Sequence, residues 1–345
     1  KLWDVQSVGD LLIFLGGTTA TTTAAFTPDG NHIVTTDGGI GGTIWDAQTG
    51  DRLADGKTPF MTKGVSPEGF ASSEGEVRTT NQNTVVAVNP LHANVWDAIR
   101  ARNDVIPDNL DLMDIMSFDT FRYAAFSADQ RWIVSIRDDG TTQLWDAQSG
   151  EELLNLSGGG ETFLAAAFNP ESSRIVMVSE DKTAQVWDVP RGTRLLTLAG
   201  HEEAVTDALY SPDGRRIATT SADGTAKIWD AQSGRELLAL SGHAGTVNRA
   251  IFSHDSNRLV TASSDNTARV WNLQNGREIY ALSGHAGSVL SVNFSPDESR
   301  IVTTSADNTA KVWYDIEPLL NLVLNTIQRD PPEFTEAERV RFGFE

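Results

Sequence analysis

The sequence predicts an all-β fold built from copies of one unit of 42 residues. A tryptophan marks the end of each copy, at Trp3, Trp45, Trp96, Trp145, Trp187, Trp229, Trp271 and Trp313. The last four intervals are 42 residues each, and a fixed period of this size indicates a repeat architecture. Within a copy, short runs of alternating apolar and polar residues are separated by turn dipeptides such as Asp213-Gly214 and Asp223-Gly224. This pattern predicts four short antiparallel strands in each copy, with no room for a helix in the regular repeats.

The repeats resemble the WD40 family at three motifs. These are the Gly-His pair that opens a copy, the Ser-Pro-Asp-Gly turn at 211–214, and the terminal pair Trp229-Asp230. The resemblance covers most of residues 10–315 and implies a β-propeller, with four-stranded blades around a central channel. Seven sets of the first three strands can be counted in the sequence. We therefore predict an all-β, seven-bladed WD40 β-propeller with a short C-terminal helical tail.

The chain is expected to divide into three segments. Residues 1–9 look like the end of an upstream repeat or a linker, residues 10–315 form the propeller, and residues 316–345 form a helical extension. The last repeat has only three strands, and the strand at 10–16 is expected to close it, since an open sheet edge invites pairing with other chains.

The apolar residues of the extension fall on one helical face: Ile316, Leu319, Leu320, Val323, Leu324 and Ile327. We favour packing of this helix on the underside of the propeller over a role in partner binding.

Two repeats carry insertions. About 12 extra residues of repeat two are expected between its second and third strands. Repeat three has an acidic insertion after Trp96, in which a short helix is expected. Repeats four to seven are regular.

Composition excludes several classes of site and partner. The chain of 345 residues has no cysteine, which excludes disulfides, thiolate metal sites and cysteine nucleophiles and fits a reducing, cytoplasmic location. A net charge of −20 argues against a nucleic-acid partner, because binding to phosphates depends on lysine and arginine clusters. No apolar run is long enough to cross a membrane. His32, His92 and His254 show no metal-ligand spacing, so neither a metal nor a cofactor is expected.

A recurring polar set resembles a catalytic triad, but scaffolding explains it better. Its three full copies are His201, Ser221, Asp223 and Trp229; His243, Ser263, Asp265 and Trp271; and His285, Ser305, Asp307 and Trp313. A hydrolase needs one set with an exposed nucleophile, whereas this set recurs in every well-kept copy. In the resembling family, these residues form a hydrogen-bonded chain inside each blade, from the turn Asp through His to Ser and the indole N–H. Blade four keeps Ser179, Asp181 and Trp187 but has Gly159 in place of the histidine. Blades one to three lack the full network, and we expect that half of the ring to be looser or held by the insertions.

The resemblance also suggests where a partner would bind. In the family, contacts often use upper-face positions just after the Gly-His pair and just before the turn Asp. Blades five to seven carry mostly small residues there, which are poor binding hot spots. Blades three and four carry larger or charged residues: Thr120, Arg122, Asp138, Thr162, Leu164 and Glu180. Recognition over blades two to four is the hypothesis, and drift of old repeats without selection for binding is the alternative.

The sequence therefore favours a non-catalytic protein–protein interaction scaffold or sensor module. The resemblance suggests the regulatory or recognition part of a larger bacterial signalling or effector protein, with an effector domain of the same chain as one possible partner. Two alternatives stay open: an enzyme, hydrolase or lyase, with an active site at the central mouth of the propeller, and a purely structural or oligomerising propeller. A hydrolase screen and the hydrodynamic mass would separate these classes.

Overall fold

Four-stranded antiparallel sheets are the repeating element of the structure, a computed structural model. It describes residues 10–15, 23–27, 29–36, 42–55, 77–80, 84–87, 121–137, 139–147, 152–156 and 162–315. Every regular element in these ranges is a β-strand. None of the described residues belongs to a helix that could span a membrane. The segment 1–9 and the expected helical extension 316–345 lie outside these ranges.

Five sheets each consist of four strands that are consecutive in the chain, and we number them as blades by their repeat. Blade one contains β2 (Thr23–Phe26), β3 (His32–Thr36), β4 (Gly42–Asp46) and β5 (Arg52–Asp55). Blade three contains β8 (Phe121–Phe126), β9 (Trp132–Arg137), β10 (Thr142–Asp146) and β11 (Glu152–Asn155). Blade four contains β12 (Phe163–Phe168), β13 (Arg174–Ser179), β14 (Thr183–Asp188) and β15 (Thr193–Ala199). Blade five contains β16 (Val205–Tyr210), β17 (Arg216–Ser221), β18 (Thr225–Asp230) and β19 (Glu236–Ser241). Blade six contains β20 (Val247–Phe252), β21 (Arg258–Ser263), β22 (Thr267–Asn272) and β23 (Arg277–Ser283).

The last blade combines the two ends of the described chain. Blade seven contains β24 (Val289–Phe294), β25 (Arg300–Ser305), β26 (Thr309–Tyr314) and β1 (Asp10–Leu15), in the order β1-β26-β25-β24. The N-terminal strand pairs antiparallel with β26, from Asp10 opposite Trp313 to Leu15 opposite Thr309. It therefore occupies the outer edge that the fourth strand of this repeat would otherwise take.

Repeat two is described only in part. β6 (Val77–Thr80) and β7 (Thr84–Ala87) form a two-stranded antiparallel sheet, in the segment where the sequence places the insertion of this repeat. The remainder of the repeat lies outside the described residues, so the count of seven blades stays a prediction.

The innermost strands show how the blades follow one another. β8, β12, β16, β20, β24 and β2 each contact the next, which runs from blade three through blade seven to blade one. Apolar side chains fill the spaces between neighbouring sheets. One such cluster joins Ala24, Phe26 and Ile33 of blade one to Val302 and Val312 of blade seven. This radial arrangement of sheets is that of a β-propeller.

The turns define two faces. We call lower the end that carries the turns between the first and second strands of each blade, and upper the opposite end. In a lower turn, the Ser211 hydroxyl accepts the Arg216 N–H and donates to Asp213, while the Gly214 N–H donates to the Ser211 carbonyl. The last turn position has a positive φ, 68° at Gly214 and 54° at Glu298. The turn therefore demands this conformation even where glycine is absent.

Arginines at the start of the second strands link neighbouring blades. The Arg174 guanidinium of blade four donates to the Ala231 carbonyl of blade five at 3.0 Å. Arg300 of blade seven donates to the Ala47 and Gly30 carbonyls of blade one at 2.8 and 3.0 Å. The equivalent Arg258 of blade six contacts carboxylates of blade seven.

Candidate functional site

The recurring polar set forms a continuous hydrogen-bonded chain in blade five. His201 Nδ1 lies 2.9 Å from Asp223 Oδ2, and His201 Nε2 lies 2.8 Å from Thr219 Oγ1. The Trp229 indole N–H donates to the same Thr219 oxygen at 2.8 Å. The histidine and aspartate come from upper loops, whereas the threonine and tryptophan come from the two central strands. The chain therefore ties the loops to the middle of the sheet.

The directions of these hydrogen bonds assign the state of the histidine. Thr219 Oγ1 accepts the indole proton, so its own proton is free to be donated to His201 Nε2. With Nε2 as the acceptor of that proton, Nδ1 carries the proton that is donated to Asp223. A neutral imidazole with its proton on Nδ1 satisfies every bond at once. Burial acts in the same direction, because it lowers the pKa of His201 against the opposing influence of Asp223.

Asp223 is held as a carboxylate. Its Oδ2 accepts from His201 Nδ1 and from the Glu202 N–H, and its Oδ1 accepts from the N–H and hydroxyl of Thr225. Burial by itself raises the pKa of Asp223, but these donors outweigh it and lower the pKa to about 2. The carboxylate thus fixes the upper turn at both of its oxygens.

Blades six and seven repeat the arrangement. His243 Nε2 lies 2.7 Å from Thr261 Oγ1, and Trp271 donates to that oxygen at 2.9 Å. The other contact of this ring, from Nδ1 to Asp265, is 2.8 Å. In blade seven, the distances that join Asp307, His285, Thr303 and Trp313 are 3.0, 2.7 and 2.8 Å in that order.

The structure corrects one member of each set. The hydroxyl that joins histidine to tryptophan belongs to Thr219, Thr261 and Thr303, and the serines Ser221, Ser263 and Ser305 predicted for this role serve the turn instead. Ser221 donates to the Glu203 carbonyl and accepts the Asp223 N–H. Thr219 and Ser221 lie two residues apart on one face of β17. The rings meet at mid-strand, at the level of Thr219, while Ser221 ends the strand beside the turn.

Part of this hydrogen-bonded chain is also present in blades that lack the full polar set. Trp45 donates to Thr35 in blade one at 2.9 Å, and Trp145 donates to Ser135 in blade three at 2.8 Å. In blade four the equivalent position is Met177, which is fully buried, and Trp187 donates to Gln185 at 3.2 Å instead. The tryptophan–hydroxyl contact is thus kept more widely than the histidine–aspartate contact.

The polar sets are sealed inside the blades. The side chains of His201, His243 and His285 are each 1% exposed. Ser221 is also fully buried, so neither it nor the histidine beside it presents a reactive atom to a substrate. No group of three metal-binding side chains occurs within the ranges that the structure describes. These sets therefore lie inside the blades, where they join the upper loops to the central strands.

The predicted partner-binding residues are described unevenly. Thr120 and Asp138 lie outside the described residues, and only the backbone of Arg122 is described, in β8. The Thr162 carbonyl accepts the Glu180 N–H at 3.2 Å, and the Glu180 side chain is exposed. Leu164 packs against the apolar cluster of blades three to five and offers less surface than its sequence position suggests.

Thr162 of blade four also packs closely against Gly140 of blade three on the upper face. A Cβ atom at Gly140 of blade three would lie 2.9 Å from the Thr162 Cα atom, and Gly140 has a φ of 82°. Only glycine fits this turn, which seats blade three directly on blade four.

Sequence reasoning missed a charged group at the upper junction of blades four and five. Lys182 donates to the Glu202 carbonyl at 2.6 Å and lies 3.6 Å from Glu203 Oε2. The side chains of Lys182 and Glu203 are 49% and 63% exposed. The signal was present in the repeats: Lys182 replaces the turn residues Gly224 and Asn266 of later copies. Glu202 and Glu203 likewise replace the Ala-Gly that follows the Gly-His pair in blades six and seven.

The lower end of the ring holds a cavity of about 510 Å³. One aromatic residue from each of six blades lines it, at equivalent positions: Phe26, Phe126, Phe168, Tyr210, Phe252 and Phe294. Turn prolines Pro170, Pro212 and Pro296 complete the wall, together with His254 and Glu298. We call this cavity the lower mouth. Its wall is mainly apolar, unlike the charged upper junction.

Comparisons with known proteins agree with this architecture. The family described as WD domain, G-beta repeat matches residues 150–188, 192–230, 234–272 and 276–314. Among solved structures, the chain is similar to the computationally designed protein Ika8, with a TM-score of 0.65 and 24% sequence identity. The match covers 88% of this chain and 99% of that one, and at this identity it supports the fold alone. A search of the curated proteins found no match. The chain therefore contains four WD40 repeats within residues 150–314, and its described blades have the corresponding topology.

Proposed function

We propose that the protein is a non-catalytic scaffold that binds another protein through the upper face at blades three to five. WD40 repeats generally mediate interactions between proteins, and the family is typically non-catalytic. The observation that carries the proposal is the charged junction at Lys182. Four exposed acids lie in the two upper turns that meet at this lysine: Glu180 and Asp181 next to it in sequence, and Glu202 and Glu203 across the junction.

The corresponding surface of the later blades is occupied by contacts between blades. Thr206 of blade five donates to the Val247 carbonyl of blade six at 2.5 Å. Asn248 of blade six donates to the Val289 carbonyl of blade seven at 2.6 Å. Polar groups used in this way hold the ring together and are less available to a partner. Lys182 also joins two blades, but the acids on both sides of this junction are exposed, which favours this part of the rim as the recognition surface.

The excess of acids points to the chemistry of the partner. A net charge of −20 and an acidic junction favour a protein with a basic surface, which would also be steered towards this face. We further propose a cytoplasmic module that serves as the recognition part of a larger bacterial signalling or effector protein. A basic surface on an effector domain of the same polypeptide fits this proposal as well as a separate protein does.

Affinity capture from a lysate of the source organism tests the surface. We expect the variant Glu180→Lys/Glu202→Lys/Glu203→Lys to lose the partners that the unchanged chain retains. The control Glu152→Lys/Glu236→Lys/Glu278→Lys alters net charge equally at the outer strands. Its fold is checked by urea denaturation, because Glu236 and Glu278 pair with Lys227 and Arg269. Capture by the unchanged chain should also weaken as salt is raised, because exposed charges are screened. Equal capture by both variants would contradict the proposed surface, as would capture that is insensitive to salt.

A further inference from the structure

A second cavity, a cleft of about 500 Å³, opens on the lower face at the junction of blades four and five. We call it the junction cleft. Its lining includes two arginines, Arg174 and Arg215, and two acids, Glu171 and Asp230. Tyr210 separates it from the lower mouth, since this residue lines both cavities. The junction cleft therefore combines positive and negative groups, in contrast to the mainly apolar mouth.

Three residues of the junction cleft depart from the repeat. Tyr210 stands where blades six and seven carry Phe252 and Phe294, and Asn169 and Glu171 stand where blades five to seven carry a serine and an aspartate. Glutamate is one methylene longer than aspartate, and a Cβ atom at Gly214 of blade five would lie 3.1 Å from Glu171 Oε1. These departures together make the junction chemically different from those of the later blades.

The Tyr210 hydroxyl is buried and has no hydrogen-bond partner among the described residues. The whole residue is 8% exposed. Burial raises the pKa of Tyr210, so the hydroxyl keeps its proton and can donate it. A buried polar group without a partner destabilises the fold, and Phe252 fills the equivalent position of blade six without one. A ligand atom that accepts this proton would remove the cost.

Arg174 adds further donors to the cleft. Its Nη1 donates to the Ala231 carbonyl at 3.0 Å, and this is the one hydrogen bond of its guanidinium to the described part of the chain. The equivalent Arg300 donates to two carbonyls of blade one. Part of the Arg174 guanidinium is thus left for another acceptor, and the fork of an arginine matches a planar carboxylate. Arg215, which is exposed, adds positive charge at the rim.

Glu171 provides an acceptor in the same cleft. Asn169 Nδ2 donates to Glu171 Oε2 at 2.7 Å, and none of the residues that the structure describes donates to Oε1. A carboxylate here disfavours a doubly charged anion such as phosphate, because like charges repel. It suits a ligand that carries an N–H next to a singly charged anionic group.

We propose that the junction cleft binds a carboxylate with an adjacent amide N–H, the group found at the C-terminus of a peptide and in free N-acyl amino acids. Tyr210 and Arg174 donate to the carboxylate, and Glu171 accepts the amide N–H. The volume lies within the range of about 300–1,000 Å³ that is usual for small ligands, so the cleft takes the end of a chain and not a folded surface. It lies on the opposite face from the proposed upper surface, and either site can fail without the other.

Retention on peptide resins tests the proposal. The full-length chain is passed over random tetrapeptides that are attached through their N-termini and end in either a free carboxylate or an amide. We expect at least about fivefold more chain to be retained on the carboxylate resin. The net charge of −20 opposes non-specific retention on an anionic resin, and the acidic upper junction would give the opposite preference. Equal retention, or a preference for the amide resin, would overturn the proposal.

Tyr210→Phe removes only the hydroxyl and copies the residue of blade six. Retention on the carboxylate resin should fall at least about fivefold, because a donor to the carboxylate is lost. Urea denaturation should show no loss of stability, since the hydroxyl has no partner in the chain itself. Unchanged retention would overturn the proposal, as would a loss of retention that is accompanied by a loss of stability.

Arg215→Gln and Arg235→Gln form a matched pair of charge changes. Both arginines are exposed, but only Arg215 lines the junction cleft. Retention on the carboxylate resin should fall in Arg215→Gln and stay unchanged in Arg235→Gln. An equal fall in both variants would overturn the proposal, because retention would then follow net charge alone.

Competition identifies the source of the carboxylate. N-acetylglycine and acetylated tetra-alanine are added separately to chain that is held on the carboxylate resin. Release by either compound supports the proposal, and the one that acts at the lower concentration assigns the cleft to a free acid or to a peptide end. Release by neither, or equal release by inorganic phosphate, would overturn it.

Discussion

In blade six, His243 and Thr261 are joined through Nε2 and Oγ1 at 2.7 Å, and the same hydroxyl accepts the indole proton of Trp271 at 2.9 Å. The Thr261 hydroxyl therefore satisfies two buried rings, because it donates to the His243 imidazole and accepts from the Trp271 indole. Buried polar chains of this kind stabilise a fold when every member is satisfied and are costly when one is missing. The threonine at mid-strand is accordingly the member on which the others depend.

Thr261→Val tests this dependence. Valine keeps the shape of threonine and removes the hydroxyl, which leaves both the Trp271 N–H and the His243 Nε2 without a partner in a buried site. We expect the free energy of unfolding to fall by about 2–4 kcal/mol, given about 1–3 kcal/mol for each unsatisfied group. Urea denaturation measures the change.

Ser263→Ala is the matched control for that substitution. Ser263 lies on the same strand, but its hydroxyl bonds only backbone groups, donating to the Gly245 carbonyl and accepting the Asp265 N–H. Its loss should cost about 1 kcal/mol. A larger loss for Ser263→Ala than for Thr261→Val would show that the serine, and not the threonine, joins the rings.

Asp265→Ala removes the carboxylate at the other end of this hydrogen-bonded chain. Asp265 accepts from His243 and the Ala244 N–H with one oxygen, and from the N–H and hydroxyl of Thr267 with the other. We expect a loss of about 2–4 kcal/mol, because a buried imidazole and two loop N–H groups lose their acceptor.

The equivalent Asp139→Ala in blade three should cost less. Asp139 is exposed and accepts the Thr141 N–H in its own turn. Urea denaturation measures both changes. Equal losses of unfolding free energy at the two positions would refute the view that the hydrogen-bonded chain contributes most where it is complete.

The repeat made the class of fold predictable. Four intervals of 42 residues and the turn dipeptides are enough to predict strands, and the structure confirms an all-β WD40 propeller in the described residues. Local signals determine this outcome, because alternation and turn residues act within a few positions. The second repeat matches the repeat pattern least well, so its strand and turn signals are weaker, and the number of blades stays a prediction.

The polar site was predictable in its members but not in its contacts. Motif spacing identifies His201, Asp223 and Trp229, yet it does not show whether Thr219 or Ser221 meets the rings. The two hydroxyls share a strand face, so only the depth to which the rings reach decides between them. The charges at Lys182 and Glu203 depend on the approach of blades four and five, although a comparison of the repeats marks both positions as unusual.

The buried histidines should make stability depend on pH in a mildly acidic range. Burial lowers the pKa of His201 and His243 below the ordinary value of 6.5, so the unfolded chain binds protons that the folded chain does not. Stability is then fully present above about pH 6.5 and falls as the pH is lowered, by up to about 1.4 kcal/mol per pH unit for each histidine.

Urea unfolding curves between pH 5 and pH 7 measure this slope. His243→Gln removes one titrating group, so its slope should be shallower than that of the unchanged chain, although the variant is less stable throughout. A second loss is expected between about pH 4 and pH 2, where carboxylates such as Asp265, with a pKa of about 2, become protonated. A flat curve from pH 7 to pH 5 would contradict the assignment of neutral histidines.

Arg300 joins the last blade to the first and should control how firmly the ring is closed. Its guanidinium donates to two backbone carbonyls of blade one and lies 4.9 Å from the centre of the Phe26 ring. Arg300→Lys keeps the charge but cannot make both bonds in the same geometry, and the two carbonyls lose their donors. We expect the free energy of unfolding to fall by about 1–3 kcal/mol. The amide exchange rate of β2 should increase more than that of β20. Arg277→Lys, at an exposed position on the outer strand of blade six, is the control and should leave both measurements unchanged. If the amide exchange rates of β2 and β20 rose equally in Arg300→Lys, the arginine would stabilise the propeller as a whole and not its closure.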